Sequence, residues 1–597
     1  MKKLQRFSIL LRAVSRLSPR MAAYMLRRLL RNRLAPRFPQ AYRNRIGRIA
    51  QGLPLPVPPA DVTPGLAATA EFYCAEYRGM TPGVPRGEMR FHGRTVAFGS
   101  PQEVGWNHVV AEEGDHQMWR VKLAHMGFLC PMLLEGDAAQ DAVARTLAEG
   151  AMAGTDMAAP GAFSGYWFPY AASHRLLAVG AALLVGGSRR RVSAETAAVL
   201  ARMLRLNAAF VLDNIEHELC NNHVERNLAG LCLYFSHVPE VPAEVAARLE
   251  REIARLVRAT ILADGTQIER SPMYQGLSVA SLAVMAEAPF LSAALRRELA
   301  GKLEVARAAF AALCHPDGKV ALFNDCWHGE VPVWTGDPAP EGRILLPAGG
   351  YGRLAQGGDV CVMDAGPLGP RWNPGHGHAD FLSLEISLQG RRLVVDPGTS
   401  RYNTGPERAY ERSAAAHNGP AWRGYEPADF LGCFKVGRTA VARLVPGSRL
   451  PEDVIAGLFC SGPGHVARAV QMFAGRGFLI ADCWSRGGPR GQVNWRLPGD
   501  WQSEKSDQGW LFRHPESGQQ TCIMVLSPVA SAELEKGYWA HHYGSRDTAH
   551  VLRLVPQAQG GAGQQLLTWI GHGAPGDDIA MAGETLMRQL SELMKSA

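Results

Sequence analysis

Two histidines two residues apart, His376 and His378, open the segment NPGHGHADFLSLEISLQGRRLVVDPGTSRYNTGPERAYERSAAAHNGP, residues 373–420. Imidazoles transfer protons near neutral pH and ligate metals. Asp396 and His417 follow in the same segment. Histidines and a carboxylate at the ends of strands can act as metal ligands or as proton-transfer groups, or can form a hydrogen-bonded His–Asp–His cluster without metal. A second candidate is Asn221-Asn222-His223, an amide pair beside an imidazole, which could serve chemistry or simply cap helix ends. A third is the run from Asp264 to Tyr274, DGTQIERSPMY. Tyrosine is a poor base at its ordinary pKa of about 10. A neighbouring cation, Arg270 or a protonated histidine, would favour its phenolate.

These groups need elements to hold them. After His378, apolar Leu382, Leu384, Ile386 and Leu388 alternate with polar residues, the two-residue period of a half-buried strand. Gly390 allows a turn, Leu393–Val395 return as a second strand, and Asp396 stands at its end. A tight turn places Asp396 near Leu384, so the chain before Leu382 must bend back if His378 is to reach it. Ser271-Pro272 suits a helix start with proline at the first position, which puts Tyr274 in the first turn. Helical stripes cover residues 194–219 (capped by Ser193), 242–261 and 292–313. Residues 65–105 read as a short, partly β segment. Beyond Leu346-Pro347 the pattern turns to Gly-rich turns and short alternating strands, with helix again only in the last dozen or so residues.

The 597 residues allow two or three domains, and 47% hydrophobic with 20% charged residues is ordinary for a globular protein. No apolar run approaches the length of a membrane span. Eleven scattered cysteines without a CxxC pair exclude a disulfide framework and a zinc ribbon. The net charge of +8 is unevenly placed. Residues 1–50 hold fourteen Lys and Arg and no acid, so the remainder carries −6. A body built to grip densely sulfated chains should be basic.

The features GHGHAD, the hairpin, DPGT, GPERAY, AAHN and ERSPMY closely resemble the heparinase II/III family of polysaccharide lyases, over about residues 100–560. The resemblance implies an α+β multidomain fold. An incomplete (α/α) toroid at 65–340 is followed by an antiparallel β-sandwich at 341–597, with residues 1–64 as a basic amphipathic arm and Pro-rich linker. It also implies β-elimination of a uronic-acid-containing polysaccharide at a site between the two domains. That reaction needs a neutraliser for the C5 carboxylate, a base for the C5 proton and an acid for the leaving O4. In these terms Asn222 is the neutraliser and His223 its partner or the base. Tyr274 is the acid, and His376 is the base or a partner on the carboxylate side. The family's structural zinc would fall on His378, Asp396 and His417 and fix the loop that presents His376. Arg270, Trp119, Arg175 and Asn324 are expected to contact substrate, and Arg408 and Asn418 to support the site. Ser400 in DPGTSRY stands where the family often has tyrosine, a change expected to alter subsites.

The competing reading is a non-catalytic carbohydrate-binding or surface-polysaccharide assembly protein on the same fold. The partner expected in either case is an acidic polysaccharide, with no nucleic acid, since no nucleic-acid-binding motif accompanies the basic arm. The arm itself, MKKLQRFSILLRAVSRLSPRMAAYMLRRLLRNRLAPRF, can pack on the body, lie on an anionic membrane surface or act as a transit peptide. It is expected to stand clear of the catalytic site. Without an unbroken apolar signal core, the cytoplasmic side of a membrane is favoured, with the periplasm the alternative that the family suggests.

Overall fold

The structure is a computed structural model that describes residues 3–557 and 563–595. The arm forms three helices, Lys3–Ser15, Pro19–Leu34 and Pro39–Gln51. It does not form one continuous helix because Pro19 and Pro39 each begin a new one, and proline lacks the N–H that would continue the previous turn. The Pro-rich stretch 53–63 is irregular and tied to the body, with Val57 N–H donating to the His237 carbonyl (2.7 Å) and the Tyr234 hydroxyl to that of Pro54 (2.6 Å).

Residues 65–105 differ from the expected partly β segment. They hold a helix, Pro64–Tyr77, before a short hairpin, Glu88–Phe91 with Arg94–Ala97. Leu66, Phe72, Tyr73, Cys74 and Tyr77 of that helix are all buried, so no polar face marks it as amphipathic in the sequence. Helices then pack in succession: Pro169–Ser188 on Ala194–Asp213 and Asn222–Phe235, the latter on Pro272–Ala286, and that on Ala293–Ala312. The helix expected over 194–219 stops at Asp213, and residues 214–221 form an irregular loop. Pro169–Ser188 is long and apolar enough to cross a membrane, contrary to the sequence reading, but 89% of its apolar window is buried in the helical layer. Its apolarity belongs to a central core helix.

From Gly342 the chain is antiparallel sheet. A five-stranded sheet runs in chain order from Gly342–Leu346 to Arg391–Val394. An eight-stranded sheet has Val441–Leu444 and Gln502–Ser506 at its edges, and a four-stranded sheet is centred on Gly491–Pro498 and Asp547–Pro556. One apolar core joins these sheets through residues such as Leu384, Ile386, Val466, Trp495 and Leu552. The C-terminal helix Asp577–Lys595 covers the outer face of the eight-stranded sheet through Ile579, Leu586 and Leu590. The hairpin Ser383–Leu388/Arg391–Val394 forms around Gln389-Gly390, both at positive φ. Its polar face is buried too, because the end of the helical domain lies across it. The His315 Nδ1 pairs with the Ser387 hydroxyl (2.7 Å), and Glu385 accepts the Leu322 N–H (3.0 Å) and an Arg392 N–H (2.8 Å).

Candidate active site at the interface of the two domains

The site is built on one buried carboxylate. Asp325 lies just past the helical layer, and Asn324 before it adopts the left-handed conformation (φ 60°) that asparagine tolerates. Asp325 receives Arg408 through both terminal nitrogens, one of them at 2.8 Å, with His376 Nδ1 (2.8 Å) and His378 Nε2 (2.9 Å) beside it. Burial alone would raise its pKa. Arg408, then the two imidazoles, reverse this and hold it well below the carboxylate range. Arg408 stacks under the Tyr402 ring (5.0 Å to the centroid). The Tyr402 hydroxyl meets that of Tyr274 at 2.9 Å, and Tyr274 Oη stands 3.4 Å from His376 Nδ1. A helical-layer tyrosine and a sheet-domain histidine therefore share one wall.

That wall borders a cavity of about 280 Å3 lined also by Asn221, Asn222, His223, His116, Phe434 and Arg28. Asn221 caps the helix Asn222–Phe235 by accepting the His223 N–H (3.1 Å), so Asn222 and His223 occupy its first turn. His223 Nδ1 pairs with Glu216 Oε1 (3.2 Å), and its ring packs on Tyr170 (4.3 Å between centroids). Burial pushes the His223 pKa down, but Glu216 more than reverses this and the net direction is upward. The Tyr274 phenol moves the other way from phenolate. Burial first, then the charges of Asp325, Tyr170 and Glu269, push it well above 10. The expectation that Arg270 would favour a phenolate is corrected, because Arg270 points away, donating to the Gly349 (3.1 Å), Ile268 (3.1 Å) and Ala348 (3.4 Å) carbonyls.

Asn222 lines the cavity, yet Glu269 Oε2 accepts both its backbone N–H and its side-chain amide, each at 2.8 Å, while its Oδ1 has no hydrogen-bond partner. Asn221 and Gln267 donate to the same carboxylate at 3.0 Å, and His376 Nε2 lies 3.7 Å from it.

Four expected substrate contacts lie outside the cavity. Arg270 and Asn324 join the domains. The Asn324 amide donates to the Arg270 carbonyl (2.9 Å) and Asp364 (3.1 Å), and its oxygen accepts the His378 N–H (2.9 Å). Trp119 is fully buried against Phe91 and His108. Arg175 is fully buried, donating to Asn207 and to the Ala124 and Tyr166 carbonyls. Both stand where close-packed helices leave no room for a ligand.

The expected metal set divides into two pairs. His378 goes to Asp325, and His417 Nδ1 to Asp396 (2.8 Å), with the two rings 5.4 Å apart. Among the described residues no group of three or more His, Cys, Asp or Glu is arranged to hold a metal ion. The donor chemistry nevertheless fits, since His378 Nδ1 and His417 Nε2 are buried without hydrogen-bond partners.

The sequence reading missed Tyr402, His116 and Glu269. Tyr402 had a signal: it lies two residues after Ser400, the position that departs from the family. Ser400 itself is bound to Glu411 (2.5 Å). The arm was expected to stand clear of the site, but Arg28 lines the cavity.

A helical domain feeding an antiparallel β-sandwich is the architecture shared with solved structures of heparinase III and of a heparan sulfate lyase. Residues 338–570 match the family model "Heparinase II/III-like, C-terminal". A crystal structure of heparinase III superimposes with a TM-score of 0.63 at 14% identity, covering 90% of this chain and 92% of the other. A mutant of the heparan sulfate lyase HepC from Pedobacter heparinus gives 0.54 at 15% identity, covering 84% of each chain. At these identities the likeness establishes the fold. Among curated proteins no sequence match is found.

Asp325→Asn is expected to lower unfolding stability by about 3–5 kcal/mol, because it leaves the buried Arg408 charge uncompensated. Urea unfolding of the variant measures it.

Proposed function

We propose that the chain is a lyase that cleaves a uronic-acid-containing polysaccharide by β-elimination in this cavity. The observation that carries the reading is the approach of Tyr274 Oη to His376 (3.4 Å) across the domain interface, on the same cavity wall as His223. Asp325 accepts from His376 Nδ1–H, which leaves Nε2 as the basic nitrogen. In the reaction Nε2 takes the C5 proton and the C5–H electron pair becomes the C4=C5 double bond. The C4–O4 bond breaks, and O4 takes the proton of Tyr274, a phenol kept neutral by burial. Tyr402 orients that hydroxyl, and proton transfer from His376 restores it. No water nucleophile is required. Charge neutralisation at the C5 carboxylate passes from Asn222, whose amide is held by Glu269, to His223.

Tyr274→Phe should lower turnover about 10²–10⁴-fold, the usual contribution of a positioned acid or base, with the fold intact. The assay is the ultraviolet absorbance of the unsaturated uronate, across heparan sulfate, chondroitin, hyaluronan, alginate and bacterial exopolysaccharides. A variant with near-normal turnover on the true substrate removes Tyr274 from the mechanism. Glycan binding without any unsaturated product would favour the carbohydrate-binding alternative.

His223 gives a pH signature. Its pKa is raised in the folded protein, so its positive charge is present below that value and is lost as pH rises through it. KM for an acidic glycan should therefore rise on the alkaline side, and His223→Gln should flatten that limb. An unchanged profile in the variant assigns neutralisation elsewhere.

A structural zinc remains part of this reading. His378, His417 and Asp396 would hold it, and it would stiffen the loops around His376. Elemental analysis of gently purified protein should find one equivalent; finding none leaves the two hydrogen-bonded His–carboxylate pairs as the supporting structure.

A further inference from the structure

The helix Pro19–Leu34 is turned inside out. A surface helix ordinarily gives its apolar stripe to the core and its charges to water. Here Leu26, Leu30 and Leu34, four apart and so on one face, are 44–56% exposed. On the opposite face Arg28 pairs with Glu218 (3.0 Å) and Arg31 with Asn214. The helix Lys3–Ser15 repeats the arrangement. Phe7, Leu10, Leu11 and Val14 follow the i, i+3, i+4, i+7 spacing and are all exposed, while Ile9 is buried. Arg16, just beyond it, donates to the Val436 and Gly437 carbonyls of the sheet domain. Of seventeen large hydrophobic side chains exposed among the described residues, nine fall within residues 7–38.

The third helix anchors the arm in the core through Tyr42, Ile46 and Ala50, whereas Pro19–Leu34 buries no residue of its own and is held through ionic and polar contacts, so the body leaves the apolar stripes of the first two helices unused. Contiguous exposed apolar surface of this kind marks a docking face. Its charge selects the occupant. Residues 1–50 hold fourteen basic and no acidic residues, and Arg6, Arg12, Arg33 and Arg37 are exposed beside the stripes. An anionic lipid surface satisfies both the apolar stripe and its positive border.

We propose that the N-terminal arm is a membrane-docking surface. The first two helices lie in the plane of an anionic bilayer. Phe7, Leu10, Leu11 and Val14 of one helix, with Leu26, Leu30 and Leu34 of the other, enter the boundary between headgroups and acyl chains. The exposed arginines meet lipid phosphates, and the opposite face carries the enzyme body through the 213–218 loop and Val436-Gly437.

The test is co-sedimentation of the full chain with vesicles of phosphatidylcholine alone or mixed with phosphatidylglycerol. The protein should pellet with the anionic vesicles, at least about ten-fold more tightly than with phosphatidylcholine, and added salt should weaken the binding. The combined change Leu26→Ser, Leu30→Ser, Leu34→Ser should weaken it about ten-fold or more with melting temperature unchanged. Phe7→Ser with Leu11→Ser gives an independent reading from the first helix if the triple variant misfolds. Wild-type protein that stays in solution with anionic vesicles overturns the proposal, as do folded variants that bind like wild type. A dimer seen by light scattering that the substitutions dissociate, without vesicle binding, gives the face to a second copy of the chain and also overturns it.

Discussion

The Asp325–Arg408 pair is the interaction on which the rest of the site depends. A carboxylate taken fully out of water is costly unless it is paired and all its oxygens are engaged. Arg408 meets it with two N–H groups, and His376 and His378 complete the set. Bidentate pairing fixes direction as well as charge. Three separated stretches of chain are thereby locked together: the end of the helical domain, the GHGH turn and the helix Pro406–Glu411. The pair also settles the His376 tautomer and, through the Arg408–Tyr402 stack, the hydroxyl that meets Tyr274.

Around that anion the titrating groups diverge. Burial holds the Tyr274 and Tyr402 phenols protonated and drives His116 down to about 4, a neutral imidazole. On the other side of the cavity Glu216 lifts His223 toward the charged form. One wall can thus give up a proton while another offers positive charge, the separation of roles that elimination beside a carboxylate requires. Glu269 occupies the amides of Asn221 and Asn222, which makes the first helical turn of 222–235 a rigid part of the wall.

The acidic loop after Asp213 links this chemistry to the arm. Glu216 holds His223, Asp213 pairs with Arg27 and Arg45, and Glu218 pairs with Arg28, which itself borders the cavity. The arm's positive charge, an excess in the sequence, is partly spent on this loop. What it leaves outward is an apolar stripe bordered by Arg6, Arg12, Arg33 and Arg37.

The sequence alone determined the division into helical and sheet domains, because periods of 3.6 and 2 residues and the turn residues between them are local properties. It also determined the Ser271-Pro272 helix start and the Gly390 turn, and its long ordered motifs carry the resemblance to the heparinase II/III family. The periodic signals failed where the outward face of a helix is itself mostly apolar or is covered by neighbours. The helix Pro64–Tyr77 shows no polar face, and Pro169–Ser188 reads as a membrane span although neighbouring helices cover it. Of the residues singled out in the sequence, those whose motifs meet at the domain interface, Asn222, His223, Tyr274 and His376, line the cavity. Arg175, Trp119, Arg270 and Asn324 carry the residue types of a glycan site, but their direction is set by packing between distant segments. Tertiary structure alone made Asp325 the hub, brought Tyr402 to Tyr274 and paired Arg27 of the arm with Asp213, since each depends on chain segments 83–186 residues apart meeting in space.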